Sequence, residues 1–214
     1  MKIMSTISLT LDEIFDLAKK TLLANGCDDE TASILSDLIR MPKEMVQFLM
    51  AYLDYLLIFQ FKSVGKINGK GKPEVKKISP SVIKVQGNNS LAPVVLSKGL
   101  PELSKAAKEN GVAVLAINNS HHMAAMWPET EKLAEDGLVA FACTSYKPAV
   151  APAGAIKPLF GTNPISFAWP RPGTTPVVYD MATASMAMGE VQVAKREGHK
   201  VPLGTGLTKH GKET

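Results

Sequence analysis

The sequence has 214 residues, of which 45% are hydrophobic and 21% are charged, and its net charge is +4. This balance is typical of a globular protein, and the length suffices for one domain or for a domain with a small subdomain. The lysines are spread along the chain, and their densest run, residues 62–77, contains no aromatic residue. A nucleic-acid partner is therefore disfavoured, and a phosphate-bearing cofactor would suit the same charge.

Neither export nor membrane insertion is indicated. Cys27 and Cys143 are far apart and the polar start of the chain does not resemble a cleavable signal, so we expect a reduced, cytoplasmic protein. The most apolar stretch, Met45 to Phe61, is shorter than the roughly 20 residues of a spanning helix. It also contains Asp54, whose charge would cost on the order of 2.5 to 3.5 kcal/mol in a bilayer. We predict a buried or interface helix there.

Two amphipathic helices are predicted near the start of the chain. Thr10 and Glu13 have the spacing of a capping box, and the apolar residues that follow recur at helical spacing as far as Asn25-Gly26. A second helix starts near residues 28–29 and ends before Pro42, because proline disfavours a helical conformation in its predecessor.

After an exposed connection at residues 65–80, the pattern changes to alternating strands and helices, which indicates an α/β protein. Residues 112–117 are continuously apolar and are predicted to form a buried strand. Pro101 is expected at the start of its helix or at a kink. The first predicted strand covers residues 82–85 and ends at 87–89. The other predicted strands are 112–117, 138–144, 165–169 and 177–180, and the predicted helices are 100–110, 128–136 and 185–198.

Four polar clusters follow predicted strands, where α/β proteins place their sites. They are Asn119 to His122, Thr144-Ser145, Gly161 to Pro164 and Asp180 to Thr183.

The two adjacent histidines could supply an acid, a base or a hydrogen-bond donor. Neighbours in a strand point to opposite faces, so His121 and His122 share one site only if the chain has left the strand, as polar residues 118–120 suggest. The spacing is explained equally well if these histidines lie at the surface or have only a structural role. A metal site is less favoured, because no third ligand stands at a usual interval.

The other clusters offer hydrogen-bonding groups with more than one use. Gly161 to Pro164 could grip a carboxylate or phosphate, although a plain turn is the preferred interpretation from chemistry alone. Asp180 could bind ribose hydroxyls or cap the coming helix, since both use the same acceptor oxygens. No Gly-x-Gly-x-x-Gly follows any predicted strand, so the residues alone indicate an α/β enzyme of unnamed reaction.

Three motifs carry a resemblance to a known family. They are Ser120-His121-His122-Met123-Ala124-Ala125-Met126-Trp127-Pro128, Pro158-Leu159-Phe160-Gly161-Thr162-Asn163-Pro164 and Asp180-Met181-Ala182-Thr183. Their order and spacing resemble the malate/L-lactate dehydrogenase-like oxidoreductases, whose cofactor fold is not a Rossmann domain. The tracts 124–128, 189–194 and 196–198 are most similar to the Δ1-piperideine-2-carboxylate/Δ1-pyrroline-2-carboxylate reductases in that family.

The resemblance implies an α/β fold with a non-Rossmann NAD(P)-binding mixed sheet flanked by helices and an N-terminal helical segment. We expect that segment at residues 1–64 and a partial cofactor and substrate domain at 65–214. It also implies hydride transfer from NADPH, or alternatively NADH, to the C=N carbon of a cyclic imino acid, giving L-pipecolate or L-proline. Small imino or 2-oxo acids are the expected substrates, and a homodimer is the expected assembly.

Site residues follow from the same resemblance. The cofactor would contact His122, Met123, Ala124, Ala125, Met126, Ser145, Asp180, Met181 and Ala182. The substrate would contact Arg40, Thr162, Met188 and Gly189. His121 is implied as a catalytic residue, matching a proton acceptor of dehydrogenase relatives, and Glu190 as a relay residue that supports the catalytic histidine.

The sequence departs from the family pattern in two regions. Family members carry Ser-His-Gly-x-x-Arg after the second helix, but here no histidine precedes His121, and Arg40 is the candidate remnant of that arginine. Residues 43–62 do not follow the family, and we expect relatives to continue beyond residue 214. Two alternatives therefore stay open: an NAD-dependent dehydrogenase of malate, lactate or ureidoglycolate, and an inactive fragment that acts as an interaction module through residues 45–61.

Overall fold

The computed structural model describes residues 8–40, 67–121, 125–186 and 188–214, and confirms the predicted α/β class. The predicted helix at residues 45–61 lies outside these ranges. The described helices are α1 (Leu11–Ala24), α2 (Asp29–Ile39), α3 (Ala92–Asn110), α4 (Trp127–Glu135) and α5 (Met188–Glu197). The described strands are β1 (Glu74–Ser79), β2 (Val82–Leu91), β3 (Val114–His121), β4 (Ala140–Cys143), β5 (Ile165–Trp169) and β6 (Val177–Met181).

These elements belong to two compact units. The first takes its described residues from Met1–Glu74, Gln86–Val95 and Ile117–His121, and the second from Val75–Val85, Leu96–Ala116 and His122–Thr214. The predicted boundary between residues 64 and 65 stays a prediction. Among the described helices, none combines the length and the apolar content that crossing a bilayer requires.

Both N-terminal helices begin where the sequence predicts. At the start of α1, Thr10 Oγ1 accepts a hydrogen bond from Glu13 N at 3.2 Å, and the Glu13 carboxylate accepts one from Thr10 N at 2.8 Å. These bonds favour the charged carboxylate and lower the pKa of Glu13. Asp28 caps α2 by accepting a bond from Thr31 N at 2.9 Å.

The first unit has a small apolar core. The buried side chains of Leu22, Cys27, Ala32, Leu35 and Leu91 form one cluster that joins the two N-terminal helices to the end of β2. Burial, with a smaller contribution from the charge of Asp28, raises the pKa of the Cys27 thiol to about 11. This cysteine is therefore a packing residue and a poor nucleophile.

The region from β2 to α3 corrects two predictions. Strand β2 does not end at residues 87–89 but continues to Leu91, and Asn88 and Asn89 lie inside it with φ of 49° and 61°. Helix α3 begins at once at Ala92, not near residue 100, and Pro101 lies inside it. Packing explains the earlier start, because the first turns of α3 are buried and their burial outweighs weak local helix propensity.

The prediction of a buried strand at residues 112–117 is also wrong, both in its burial and in where the strand begins and ends. Strand β3 begins at Val114, whose exposed fraction is 56%, while that of Val112 is 67%. In the three-stranded sheet, β3 is an edge strand in the order β1-β2-β3, so an apolar run there need not be covered on both faces. The strand also includes residues 118–121, so the chain has not left the strand before His121, contrary to the prediction.

The second sheet has the order β4-β5-β6, and both pairs are antiparallel. The prediction of β5 is confirmed to the residue, whereas β4 is shorter than predicted and α5 begins at Met188 instead of 185. One face of the sheet packs against α4 through buried Leu133, Ala134, Ala140 and Ala168.

Candidate active site

Three of the four polar clusters meet at one edge of the second sheet. Cys143 pairs with Ile165, and Ile165 pairs with Met181. Because the strands are antiparallel, the end of β4, the start of β5 and the end of β6 lie side by side. The cluster at 161–164 therefore precedes its strand instead of following one, which corrects the prediction, and it still meets the other two clusters.

Hydrogen bonds from backbone and side-chain groups join the three loops at this edge. Thr144 N donates to Pro164 O at 3.3 Å, and Tyr146 N donates to Asn163 Oδ1 at 3.1 Å. Thr183 donates twice to Thr162 O, from its amide and from its hydroxyl, each at 2.9 Å. The loops thus hold a defined conformation in which Thr162 is half-buried and Ser145 is exposed.

Gly161 is required by the closeness of the neighbouring loop. A Cβ atom at this position would stand 2.3 Å from Tyr146 O and 2.7 Å from Asn163 Oδ1. The backbone carbonyl cannot move away without disturbing the bonds described above, so any larger residue would separate the loops. Asn163 has a φ of 37°, which is uncommon for a residue with a side chain.

Asp180 anchors the start of helix α4. Its Oδ2 accepts hydrogen bonds from Met126 N at 2.5 Å and from Trp127 N at 2.9 Å. A carboxylate at this position satisfies free amides and complements the positive end of the helix dipole. The helix that Asp180 caps is therefore α4, which precedes it in the chain, and not the coming helix that the sequence suggested.

Met181, the next residue along β6, faces the other way. Its side chain is 53% exposed on the opposite face of the sheet from Asp180, because neighbours in a strand alternate. Met126 has an exposed fraction of 0% and belongs to the protein interior, while Ala125 and Ala182 are half-buried.

Glu129 is the titratable residue that the sequence did not single out. It lies in the first turn of α4, and its Oε2 is buried without a hydrogen-bond partner among the described residues. Burial, and then the nearby charge of Asp180, raise the pKa of Glu129 to about 7, against the lowering effect of its own backbone amide. Only its place in a first helical turn was visible in the sequence.

A buried polar chain fixes α4 to the sheet below it. The hydroxyls of Thr130 and Ser166 lie 2.7 Å apart, and Ser166 Oγ donates to Tyr179 O at 3.1 Å. Thr130 and Ser166 have exposed fractions of 1% and 0%. Since buried hydroxyls are stable only when hydrogen-bonded, this chain specifies how α4 sits on β5 and β6.

Of the fourth cluster, Asn119 to His121 belong to the first unit, where His121 ends β3. Its Nε2 lies 3.1 Å from Asn89 Oδ1. Asn119 has a φ of 50°, and a Cβ on Gly87 would lie 2.5 Å from Asn119 O, so β2 and β3 approach closely here. Asn89 had been interpreted only as a turn residue, and its contact with the histidine was not visible in the sequence.

Two other predicted site residues, Arg40 and Glu190, lie at helix ends. Arg40 ends α2, where it pairs with Asp37 at 2.9 Å and Asp12 at 3.5 Å and lies 5.1 Å from the centre of the Phe15 ring. Glu190 is exposed in the first turn of α5.

The remaining predicted site residues lie wholly or partly outside the described part of the chain. His122, Met123 and Ala124 lie outside the described residues. Met188 and Gly189 begin α5, and only their backbone belongs to the described part of the chain. Within the described part of the chain, no group of three potential metal ligands is found.

Comparison with known proteins identifies the family. The chain matches Malate/L-lactate dehydrogenase over residues 9–214. The chain belongs to this family. A Δ1-pyrroline-2-carboxylate/Δ1-piperideine-2-carboxylate reductase from Pseudomonas aeruginosa is 36% identical over 208 residues, which are 97% of this chain and 62% of the relative.

Solved structures agree with this membership. The Δ1-piperideine-2-carboxylate reductase from Pseudomonas syringae has a TM-score of 0.82 at 33% identity, covering 98% of this chain and 63% of that protein. A malate dehydrogenase from Pyrococcus horikoshii has a TM-score of 0.74 at 30% identity, covering 87% of this chain and 53% of that protein. The chain thus spans less than two thirds of the length of these relatives.

Proposed function

We propose that this protein is an NAD(P)H-dependent oxidoreductase that reduces cyclic imino acids, Δ1-piperideine-2-carboxylate to L-pipecolate and Δ1-pyrroline-2-carboxylate to L-proline. The observation that carries the proposal is the 36% identity to a reductase of that name across 97% of the chain. NADPH is the proposed cofactor, with NADH as the alternative. The proposed setting is the cytoplasm, and the proposed assembly is a homodimer.

The edge of the second sheet suits a polar ligand. Thr162 and Ser145 offer hydroxyls there, and two atoms in the first turn of α4, Trp127 Nε1 and Glu129 Oε2, are buried without a partner among the described residues. Buried polar atoms of this kind are rare in native proteins and are often satisfied by a ligand or by water. The residues present therefore fit a group that is rich in hydroxyls and amides.

We assign cofactor binding to residues 122–126, Ser145 and 180–182. When bound, the nicotinamide supplies the hydride that reduces the C=N carbon. Asp180 would act mainly by holding the start of α4, because its Oδ2 already accepts two backbone bonds. Any contact from Met181 would come through its backbone, since its side chain faces away from Asp180.

Substrate binding and proton transfer are assigned to other residues. Thr162 would contact the substrate carboxylate, with Arg40, Met188 and Gly189 as further substrate contacts. His121 would deliver the proton to the imine nitrogen, with Asn89 fixing its ring, and Glu190 would act as the relay. A positioned acid of this kind contributes roughly 10²- to 10⁴-fold to a rate.

The test is nucleotide oxidation by the purified chain with each imino acid. We expect activity that is lost in a variant with His121 and His122 both changed to Ala. His210→Ala, which changes an exposed histidine far along the chain, is the matched control and should leave the rate unchanged. Binding of NADPH measured by fluorescence separates loss of chemistry from loss of cofactor.

A second candidate is a 2-hydroxy-acid dehydrogenase that uses NAD. The 30% identity to the malate dehydrogenase from Pyrococcus horikoshii favours it. Oxidation of malate, lactate or ureidoglycolate without imine reduction would support this second activity. Absence of turnover and of nucleotide binding would refute both activities and favour an inactive fragment.

A further inference from the structure

The Glu129 carboxyl group lies beside the anchor of helix α4. Asp180 Oδ2 accepts hydrogen bonds from Met126 N at 2.5 Å and from Trp127 N at 2.9 Å, at the start of the helix. Glu129 stands in the same first turn, and its Oε2 is buried without a hydrogen-bond partner among the described residues. Two carboxyl groups therefore share one helix start, and one of them holds the amides of Met126 and Trp127.

The first turn of α4 is held in place, so the helix does not move to separate these two groups. Thr130 follows Glu129, and its hydroxyl lies 2.7 Å from that of Ser166. Ser166 pairs with Asp180 across β5 and β6, so this buried contact fixes the helix beside the strand position that carries Asp180. Repulsion between two charged carboxylates would therefore act on the side chains and on the hydrogen bonds that Asp180 accepts.

Asp180 is the charged side chain that faces Glu129 from the sheet. On the face that α4 covers, the other described side chains are apolar or carry hydroxyls, namely Ala140, Ala142, Ser166, Ala168 and Val178. Helix α3 reaches the opposite end of α4, where Ser104 bonds Asp136 at 3.2 Å, and the charged side chains of α3 are exposed. The other charged residues on α4 itself are Glu131, Lys132 and Glu135.

We infer that Glu129 is a positioning residue that controls, through Asp180, how firmly the start of α4 is held. When its carboxyl group is uncharged, both bonds of Asp180 stay in place. When it is charged, it repels the Asp180 carboxylate and weakens the bonds to Met126 and Trp127, because water screens buried charges little. Since the pKa of Glu129 is raised to about 7, the change falls between about pH 6 and about pH 8.

The proposed cofactor site borders this anchor, and the consequence for the cofactor rests on the proposed function. Residues 125–126 and 181–182, which are assigned to the cofactor, include or adjoin the two ends of the Asp180 bonds. If only the anchored form binds nucleotide, the apparent dissociation constant varies inversely with the anchored fraction. With a pKa of about 7, that fraction falls about tenfold from about pH 6 to about pH 8. The dissociation constant for NADPH should therefore rise by up to about tenfold over this range.

The first test follows the anchor in the full chain without ligand. In NMR spectra, the amide proton signals of Met126 and Trp127 should move upfield together as pH rises through about 7, because their hydrogen bonds to Asp180 weaken. Glu129→Gln should keep both signals at their low-pH positions, since the amide has the same shape and acquires no charge. Glu135→Gln removes a carboxyl group from the exposed end of the same helix and should behave as wild type.

The second test measures NADPH binding by fluorescence at the same pH values. Wild type and Glu135→Gln should bind several-fold more weakly at the upper end of the range, whereas Glu129→Gln should retain the affinity that wild type has at the lower end. The titration of the NADPH phosphate and of His121 and His122 is common to all three proteins. Differences between their pH profiles therefore report Glu129 alone, and a purely structural role of this side chain would not produce them.

Two results would overturn the inference. One is a pair of amide signals that do not move with pH in wild type, or that move equally in Glu129→Gln. The other is NADPH binding with the same pH dependence in wild type and in Glu129→Gln. Absence of NADPH binding at every pH, with amide signals that still respond to Glu129, would instead refute the proposed function and support the role of Glu129 at the helix start.

Discussion

Replacing Glu129 by Gln should change how stability depends on pH. The pKa of Glu129 is raised from 4.5 to about 7, so the folded protein holds this proton more tightly than the unfolded chain. Stability that is present below about pH 4.5 is therefore lost as pH rises towards 7. At one pKa unit per 1.36 kcal/mol, the loss is about 3 kcal/mol when the carboxylate is fully charged.

Glu129→Gln removes the titration but keeps the shape of the side chain. Urea unfolding should show a variant close to wild type at about pH 5 and more stable than wild type by up to about 3 kcal/mol at about pH 8. Any free-energy cost of burying the Gln amide is the same at both pH values. Comparing the stability difference between variant and wild type at the two pH values therefore isolates the contribution of the Glu129 carboxyl group. Glu135→Gln, at the exposed end of α4, is the matched control. An equal stability difference at both pH values would refute the reasoning.

Three further experiments have clear expected outcomes. Gly161→Ala should destabilise the chain by more than about 2 kcal/mol in urea unfolding because of backbone overlap, whereas Gly206→Ala, with its nearest atom at 3.7 Å, should be nearly neutral. Asp180→Asn should cost about 1 kcal/mol at neutral pH by weakening the cap of a helix, and thermal melting that matches wild type would contradict this. A thiol reagent should modify Cys143 in the native protein and reach Cys27 only after unfolding, as mass spectrometry of the labelled peptides would establish.

Local signals predicted the elements that depend on neighbouring residues. The capping box at Thr10 and Glu13 specifies the start of α1 because both partners lie within one turn. Strand β5 was predicted to its ends, and Pro164 and Pro170 flank it on both sides. Family membership was also accessible, because three motifs in register carry it.

Distant contacts decided what the local patterns could not. Helix α3 starts well before its predicted position because its first turns are buried, and the apolar start of β3 is exposed because that strand lies at a sheet edge. Neither burial nor strand order can be read from a single segment.

In the candidate site, too, some features follow from the sequence and others only from the folded structure. Sequence by itself determined which polar residues are available near the sheet, including Thr162 and Asp180. Only the tertiary structure decided that Asp180 caps a helix at Trp127, 53 residues earlier in the chain, and that the Glu129 carboxyl group is buried near Asp180. Solvation and charge proximity depend on which segments meet in space, so a side chain's pKa and role emerge only when the chain has folded.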